Sequence, residues 1–406
     1  MLSPVPSTGQ AATDIISELS KFTPEVINDS LEQRHKAIAL SKKLTAALEG
    51  PVNTATELVF KPFLSIAARI AVGLDLFTPI VARDGTSITS EELARVSGGE
   101  QMLISRILRV MASIGFVEQD GLYSWRANET TKAMASPPIA AGHRFVFDAL
   151  ISSAIKAPKY LQEVGWKSPT EPHDGFLQYA NQTKYHVFDY LMAQPSLFAD
   201  FNLFMGNTMG SRNYWCDWYD VKGRLLKDFD HVKGSALLVD VAGGKGHDLQ
   251  AFHNKYASKV DGKSGDLVLQ EMASVIAGIK DGELDTSIKR MEYDFFEPQP
   301  VQGARTYFMH HILHDWSDKY CRIILKHLRE AMQPGYSKLL IHDLILPDTG
   351  AAEFQARFDL TMMTFNSGME RSGREWTVLL ENAGFKVTGI FEHFDADGIV
   401  EAEVNL

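Results

Sequence analysis

The chain has 406 residues, of which 45% are hydrophobic and 22% are charged. This composition is typical of a soluble globular protein, and the length predicts two domains rather than one. The formal net charge of −11 argues against nucleic acid or an anionic membrane as a partner, because both require a basic surface. The two cysteines, Cys216 and Cys321, imply no disulfide framework and predict a cytoplasmic location.

The first region, residues 1–135, is predicted to be mainly helical. Its beginning lacks the basic and apolar segments of a signal peptide. Helical periodicity covers residues 14–50, and an amphipathic helix is predicted from Pro62 through the run FLSIAARIAVGLDLF. The most apolar stretch, Leu58 to Ala82, is interrupted by charged residues and therefore predicts a packed helix rather than a membrane span.

The same region has the element pattern of a winged helix. A capping-box sequence begins at Thr89, a helix is predicted from Gln101 to Ile114, and two hairpin strands over residues 116–118 and 122–125. A winged helix can bind DNA, but the predicted recognition helix carries only two arginines and the chain is acidic. DNA binding is therefore not predicted.

The second region, residues 136–406, is predicted to combine a helical cap with an α/β domain. Helices rich in aromatic residues extend to about residue 230. From Ala236 onward, apolar strands alternate with helical segments, which predicts a doubly wound, mostly parallel sheet.

A glycine-rich turn joins the first of these strands to a helix. Leu237 to Asp240 is predicted as a buried strand, and a helix is predicted from Asp248. Such a turn lets a ligand approach backbone N–H groups and a helix N-terminus. The strand-end acid and the compact spacing suit S-adenosylmethionine (SAM) better than a dinucleotide, although a tight turn that binds nothing has the same pattern. The candidate cofactor residues here are Asp240, Ala242, Gly243, Gly244 and Gly246.

Two further acidic positions fit a nucleoside. Glu271 ends the predicted strand 267–271, where a doubly wound fold places the carboxylate that binds a ribose diol. Asp294 and Phe295, in the sequence YDFF, are candidates for the neighbourhood of an adenine.

His314 is a candidate for acid–base chemistry, and the plainer alternative is that it caps or packs against a helix start beside Trp316. It follows a predicted strand, Thr306 to Met309, and a histidine of near-neutral pKa can accept a phenolic or enolic proton when carboxylates stabilise the imidazolium. His310 and His314 have the i, i+4 spacing of zinc ligands, but that site needs a continuous helix and a third ligand, and the glutamate of an H-E-x-x-H motif is missing. No metal site is predicted.

The chain resembles the plant- and fungal-type small-molecule O-methyltransferase family. VDVAGGKGHDL, ILHDWSD, HDLILPD and GMERS occur in that order, and the similarity extends from about Lys61 to the last residue. The resemblance implies a Rossmann-like, SAM-binding catalytic domain, an N-terminal winged-helix dimerisation domain and a homodimer. It also implies that His314 is the general base and that Asp343 and Glu370 orient it.

Two departures from the family pattern concern the cofactor. Ala242 replaces the usual first glycine of the turn, and Glu271 replaces the usual aspartate. Some fungal members of this fold are pericyclases, which close Diels–Alder, hetero-Diels–Alder or Alder-ene rings without methyl transfer. Retention of His314, Asp343 and Glu370 favours methyl transfer, whereas the two departures favour the pericyclase.

The acceptor pocket is predicted to be mostly apolar with a few polar groups. Each apolar candidate, taken alone, is more often an ordinary core residue. Asn366 is a candidate contact for substrate oxygens, and His143 a candidate hydrogen-bond donor in a pericyclase. The candidate substrate residues are His143, Phe204, Met205, Met362, Met363 and Asn366.

Overall fold

The structure of the chain is a computed structural model that describes residues 8–208, 213–256, 265–393 and 397–405. It divides into two compact units that meet between residues 147 and 148. The boundary predicted from the sequence lies one helix earlier, because helix Pro137–Phe145 packs against helices of the first unit.

The first unit is mainly helical. Its elements in chain order are α1 Thr8–Leu19, α2 Pro24–Asp29, α3 Leu31–Glu49, α4 Pro51–Phe60, α5 Pro62–Gly73, α6 Phe77–Val81, β1 Ile88–Thr89, α7 Ser90–Ser97, α8 Gln101–Ser113, β2 Glu118–Gln119, β3 Ser124–Arg126, α9 Glu129–Ala135 and α10 Pro137–Phe145. The strands form a small antiparallel sheet in the order β1-β3-β2. Within the described ranges, no helix is long and apolar enough to cross a bilayer.

Local chemistry explains the helix boundaries of this unit. The predicted capping box at Thr89 is confirmed: the Thr89 hydroxyl accepts a hydrogen bond from the Glu92 backbone N–H, and the Glu92 carboxylate accepts one from Thr89. The helix predicted from Pro62 is shorter than expected. It ends at Gly73, and Asp75 has a φ of 47°, which a continuing α-helix does not allow.

The second unit contains a helical segment followed by an α/β domain. Its elements are α11 Ser152–Ala154, α12 Ala157–Glu163, α13 Phe176–Asn181, α14 Val187–Met192, α15 Pro195–Thr208, α16 Trp215–Trp218, β4 Ala236–Val241, α17 His247–Tyr256, β5 Asp266–Glu271, α18 Ala273–Ala277, β6 Lys289–Glu292, β7 Thr306–His310, α19 Asp318–Ala331, β8 Lys338–Leu346, α20 Glu353–Asn366, β9 Arg371–Ser372, α21 Gly373–Asn382, β10 Phe385–Glu392 and β11 Asp397–Val404. A π-helical turn, Val146–Ile151, joins the two units.

The main sheet has the order β10-β11-β8-β7-β4-β5-β6, and β9 pairs with β8. Strands β6, β5, β4, β7 and β8 are parallel, whereas β11 is antiparallel to β8 and to β10. Both faces of the sheet are covered. Val239 and Val241 of β4 belong to one apolar cluster, and Leu238 belongs to the other, as expected for a central parallel strand. Ligands of such folds bind beyond the carboxyl ends of the parallel strands.

Candidate active site

The glycine-rich turn after β4 is shaped by close contact with Asp240. A Cβ at Gly243 would overlap the Asp240 carboxylate, so only glycine fits there. Gly244 and Gly246 have positive φ angles of 58° and 81°. Ala242 has a φ of 61°, a left-handed conformation that costs an L-residue roughly 1–2 kcal/mol. The replacement of glycine by Ala242 therefore strains the backbone of the turn.

Three acidic side chains lie around this turn: Asp240, Asp248 and Glu271. Asp240 is fully buried, and neither carboxylate oxygen has a hydrogen-bond partner within the described ranges. Burial raises its pKa well above the usual value, and the negative charges of Asp248 and Glu271 raise it further. Because buried charge is costly unless paired, this cluster fits a ligand that carries positive charge, such as the ammonium and sulfonium groups of SAM.

Glu271 bends back onto the turn. Its carboxylate accepts hydrogen bonds from the backbone N–H groups of Gly244, at 3.2 Å, and Met272, at 2.6 Å. Burial raises the pKa of Glu271, and the two N–H donors oppose that rise. The longer glutamate side chain is thus accommodated at the end of β5.

The predicted adenine neighbours lie on the loop after β6. Asp294 is exposed, and its carboxylate accepts a hydrogen bond from the Phe296 N–H. Phe295 and Phe296 both contact the ring of Trp316 edge-on, at centroid distances of 5.9 and 4.8 Å. These contacts tie the loop to the HDW segment that carries His314.

His314 and Glu370 form a buried hydrogen-bonded pair. The Nδ1 atom of His314 lies 2.7 Å from Oε1 of Glu370, and both residues are less than 5% exposed. Burial lowers the pKa of His314 and raises the pKa of Glu370 to about 8. When Glu370 is ionised, it accepts the Nδ1–H hydrogen bond and leaves Nε2 of His314 as a proton acceptor.

A tight turn brings Glu370 to His314 across 56 residues of sequence. A Cβ at Gly368 would overlap the backbone carbonyl of His314, and the Met369 N–H donates a 2.9 Å hydrogen bond to that carbonyl. Ser367, with a φ of 57°, ends helix α20 and begins the turn. The turn therefore fixes the backbones of both partners.

Arg371 stabilises the same loop from inside the protein. This fully buried guanidinium donates hydrogen bonds to the carbonyls of Leu313 and Trp316, at 3.1 and 2.9 Å, and pairs with the carboxylate of Asp318 at 2.8 Å. This role of Arg371 was not predicted from the sequence, although its position next to Glu370 was a possible signal.

Asp343, the second residue expected to orient His314, makes no hydrogen bond to it. Its neighbour on β8, His342, faces the ring of His310 at 4.1 Å between centroids, so Asp343 points to the opposite face of the sheet. Neither carboxylate oxygen of Asp343 has a hydrogen-bond partner among the described residues. Burial, followed by repulsion from Glu370, raises the pKa of Asp343 well above its usual value.

The carboxylate nearest to the free nitrogen of His314 belongs to the next residue. Oδ1 of Asp315 lies 3.6 Å from Nε2 of His314. Burial raises the pKa of Asp315 to about 6, and His314 opposes that rise. The HDW motif itself contains this residue, but its role was not predicted.

Four histidines form a row that runs from the middle of β8 past the carboxyl end of β7: His342, His310, His311 and His314. Ring centroids lie 5.0 Å apart for His314 and His311, 4.5 Å for His311 and His310, and 4.1 Å for His310 and His342. Potential ligand atoms of His310, His311 and Asp397 lie within 4.8 Å of one another. The i, i+4 spacing in the sequence pairs His310 with His314. In the fold, the potential ligand atoms that lie together are those of His310, His311 and Asp397.

The predicted substrate residues of the second unit differ in burial and packing. Asn366 is 2% exposed, and neither polar atom of its side-chain amide has a hydrogen-bond partner within the described ranges. Met362 is buried, whereas Met363 packs on the Tyr160 and Phe176 cluster, which is the behaviour of a core residue.

The remaining substrate candidates are Phe204, Met205 and His143. Phe204 is partly buried, and Met205 is 37% exposed. His143 belongs to the first unit, where burial lowers its pKa.

Fold and site together define a class: a Rossmann-like methyltransferase fold with a carboxylate-oriented histidine beyond the strand ends. The family model for an O-methyltransferase domain matches residues 208–386. An O-methyltransferase of Penicillium thymicola, penC, is 42% identical over 96% of both chains. Another from Emericella nidulans, asqD, is 44% identical over 84% of this chain and 87% of that one. The chain belongs to the O-methyltransferase family.

Solved structures agree with this assignment. LepI in complex with SAM has a TM-score of 0.85, is 25% identical and covers 98% of this chain and 100% of its own. A structure described as a pericyclic reaction enzyme has a TM-score of 0.84, is 26% identical and covers 98% of this chain and 99% of its own. The fold is therefore the SAM-methyltransferase fold, and one of the similar structures is a pericyclic reaction enzyme.

Proposed function

We propose that the chain is a SAM-dependent O-methyltransferase that acts on a hydroxyl of an aromatic or polyketide-type secondary metabolite, with His314 as the general base. The observation that carries this proposal is the buried 2.7 Å contact between His314 Nδ1 and Glu370 Oε1. It orients the imidazole so that Nε2 can accept the hydroxyl proton, and the ionised Glu370 stabilises the resulting imidazolium.

The residues around the glycine turn fit the cofactor. When bound, SAM supplies a methyl group on an electrophilic sulfonium. Asp240, Gly244, Glu271 and Asp294 would hold it, and the buried, unpaired carboxyl group of Asp240 supports a cationic ligand. The protein then has two tasks, which are to bring the reactants together and to remove one proton.

The first experiment is calorimetric titration of the purified, cofactor-stripped protein with SAM and with S-adenosylhomocysteine (SAH). Micromolar binding supports the cofactor assignment, and no detectable binding of either would contradict it. Mass spectrometry with a panel of phenolic and enolic acceptors then tests the reaction. A methyltransferase adds one methyl mass and releases SAH in equal amount.

The alternative is a pericyclase on the same fold. It is favoured by the similarity to a pericyclic reaction enzyme and by the strained Ala242 in the cofactor turn. Such an enzyme needs a shaped apolar cavity and hydrogen-bond donors, and within the second unit the buried amide of Asn366 is a candidate donor. Its product would have the same mass as its substrate, so the same mass spectrometry separates the two reactions.

We further propose a homodimer formed by the first unit, in a cytoplasmic enzyme. Helices α3 and α4 contain no buried residue. Exposed apolar side chains cluster along α4 and the start of α5, namely Val52, Leu58, Val59, Phe60 and Phe63. An exposed apolar surface of this kind is typical of a protein–protein contact. Analytical ultracentrifugation should give a dimer, and Val59→Glu with Phe60→Glu should give a monomer.

A further inference from the structure

An acidic side chain of helix α20 holds the backbone of Glu370. Oδ1 of Asp359 accepts a 2.8 Å hydrogen bond from the Glu370 backbone N–H. Asp359 is half-buried and lies about two turns before the helix ends at Asn366. It therefore contacts the residue that orients the base without contacting the imidazole itself.

The segment that follows α20 runs back along the helix. The Gly368 N–H donates a 3.2 Å hydrogen bond to the carbonyl of Met362, and the next two N–H groups donate to the His314 carbonyl and to Asp359. Three successive N–H groups are thus anchored, so the Glu370 side chain leaves the backbone at a fixed point. The last of these anchors is a side chain, and mutation can therefore change it without changing the backbone.

The same helix contacts the histidine of the pair. The ring of Phe358 lies 6.0 Å from the ring of His314 between centroids, and it stacks on Phe354 at 5.5 Å. Helix α20 therefore supports both partners, the imidazole through Phe358 and the Glu370 backbone through Asp359.

Asp359 also acts on Glu370 through its charge. Burial is the largest cause of the raised pKa of Glu370; His311 opposes this rise, and the negative charge of Asp359 adds to it. The titratable and charged groups that face Glu370 from the surrounding elements are His311, His314, Asp315, Asp343, Asp359, Arg371 and Asp397. Asp359 combines its charge with a direct hydrogen bond to the Glu370 backbone.

We propose that Asp359 is a positioning residue for the base. It holds the Glu370 backbone where Oε1 reaches Nδ1 of His314, and its negative charge sets the pH range in which Glu370 is ionised. The consequence for turnover rests on the proposed function, but the effect on Glu370 is measured without turnover.

The first experiment observes the titration of Glu370 directly. The full chain is labelled with ¹³C at the glutamate side-chain carboxyl, and the carboxyl resonances are followed from about pH 6.5 to about pH 9.5. Ordinary glutamates are already ionised in this range, so a resonance that moves in the wild type and is missing in Glu370→Gln reports Glu370.

Asp359→Asn keeps an oxygen that can accept the N–H and removes the charge. The midpoint of the Glu370 titration should therefore fall by about one pH unit, as expected when a nearby like charge is removed. Glu353→Gln is the matched control, because it removes the same charge from an exposed position on the same helix. It should leave the midpoint unchanged.

Kinetic measurements separate the two effects of Asp359. In Asp359→Asn the pH–rate profile should move to lower pH by the same amount and keep its maximal rate. Asp359→Ala also removes the acceptor, and it should lower kcat about tenfold with KM unchanged, as expected for one lost hydrogen bond to a charged group. A role limited to folding would lower the melting temperature of both variants and move neither midpoint.

Three results would overturn the proposal. The first is a wild type in which no glutamate resonance titrates in this pH range. The second is the same Glu370 midpoint in Asp359→Asn and in the wild type. The third is an equal shift in Glu353→Gln, because long-range charge would then explain the effect.

Failure of the proposed function gives a different result. A chain that transfers no methyl group would still show the lower Glu370 midpoint in Asp359→Asn. If Asp359→Ala does not fold, the carboxyl titration of Asp359→Asn decides the outcome, and circular dichroism of each variant checks the fold.

Discussion

The two sides of the candidate active site differ in how their acidic groups are compensated. On the base side, Glu370 is hydrogen-bonded to His314, and Arg371 lies close enough to lower its pKa. On the cofactor side, Asp240 is buried without a hydrogen-bond partner in the described ranges and is repelled by Asp248 and Glu271. The protein fixes the geometry of the base by itself, whereas the cofactor side needs positive charge from a ligand.

The largest expected effect tests the base side. His314→Gln should lower methyl transfer by about 100-fold to 10,000-fold, the usual contribution of a general base, and leave the affinity for SAH unchanged. Single-turnover assays and calorimetry measure the two quantities. His231→Gln, at an exposed position, is the control. Unchanged turnover in His314→Gln would remove His314 from the mechanism.

The next prediction concerns pH. The active form requires ionised Glu370, whose pKa is raised to about 8. The rate should therefore rise about tenfold per pH unit below pH 8 and level off above it, and Glu370→Gln should abolish this dependence. A rate that is independent of pH between 6 and 9 in the wild type would contradict the assignment.

The Glu370 carboxyl group also makes the stability of the folded protein depend on pH. The rate rises with pH, whereas the stability falls. Its pKa in the folded state lies above the unfolded value of 4.5, so between these values the folded state binds more protons. This contribution to stability is complete below pH 4.5 and is lost as the pH rises through about 8. Urea unfolding at pH 6 and pH 9 should show Glu370→Gln less sensitive to pH than the wild type.

Asp240→Asn tests whether the cofactor side of the site needs positive charge from a ligand. Removing the carboxylate should weaken SAH binding at least tenfold, roughly 1.4 kcal/mol, because a cationic ammonium loses its partner. The melting temperature of the ligand-free protein should not fall, because Asp240 makes no hydrogen bond there among the described residues. A large fall in melting temperature with unchanged SAH affinity would instead make Asp240 a structural residue.

The smallest expected effect is at Ala242. Glycine adopts a φ of 61° without strain, so Ala242→Gly should gain roughly 1–2 kcal/mol in the folded state. Part of this gain is offset by about 0.4–1 kcal/mol, since glycine makes the unfolded chain more flexible. Differential scanning calorimetry should show a rise of about 2 °C. A fall would mean that the alanine methyl group contributes packing that offsets the strain.

Local sequence predicted the α/β framework well. The strands expected from Leu237, Leu267 and Thr306 are all present, because each is a short apolar run next to a turn signal. The capping box at Thr89 was also confirmed, since it depends on residues three apart.

Long-range features were harder to predict. The side of the sheet to which Asp343 points depends on the register of β8 against β7, and the contact between Asp248 and His310 joins residues 62 positions apart. Asp397 reaches the histidine row through β11, a strand that was not predicted. Sequence spacing contains no direct measure of such contacts.

The position of β11 has a consequence for biosynthesis. It is the last described strand of the chain, yet it lies between β8 and β10 in the sheet. While the chain is being synthesised, β8 therefore lacks one neighbour until β11 has been translated, and its free edge is open to pairing with other chains. Asp397 enters the histidine row at the same late moment. A chaperone that shields β8 during synthesis should raise the yield of folded enzyme more than one that acts on the first unit.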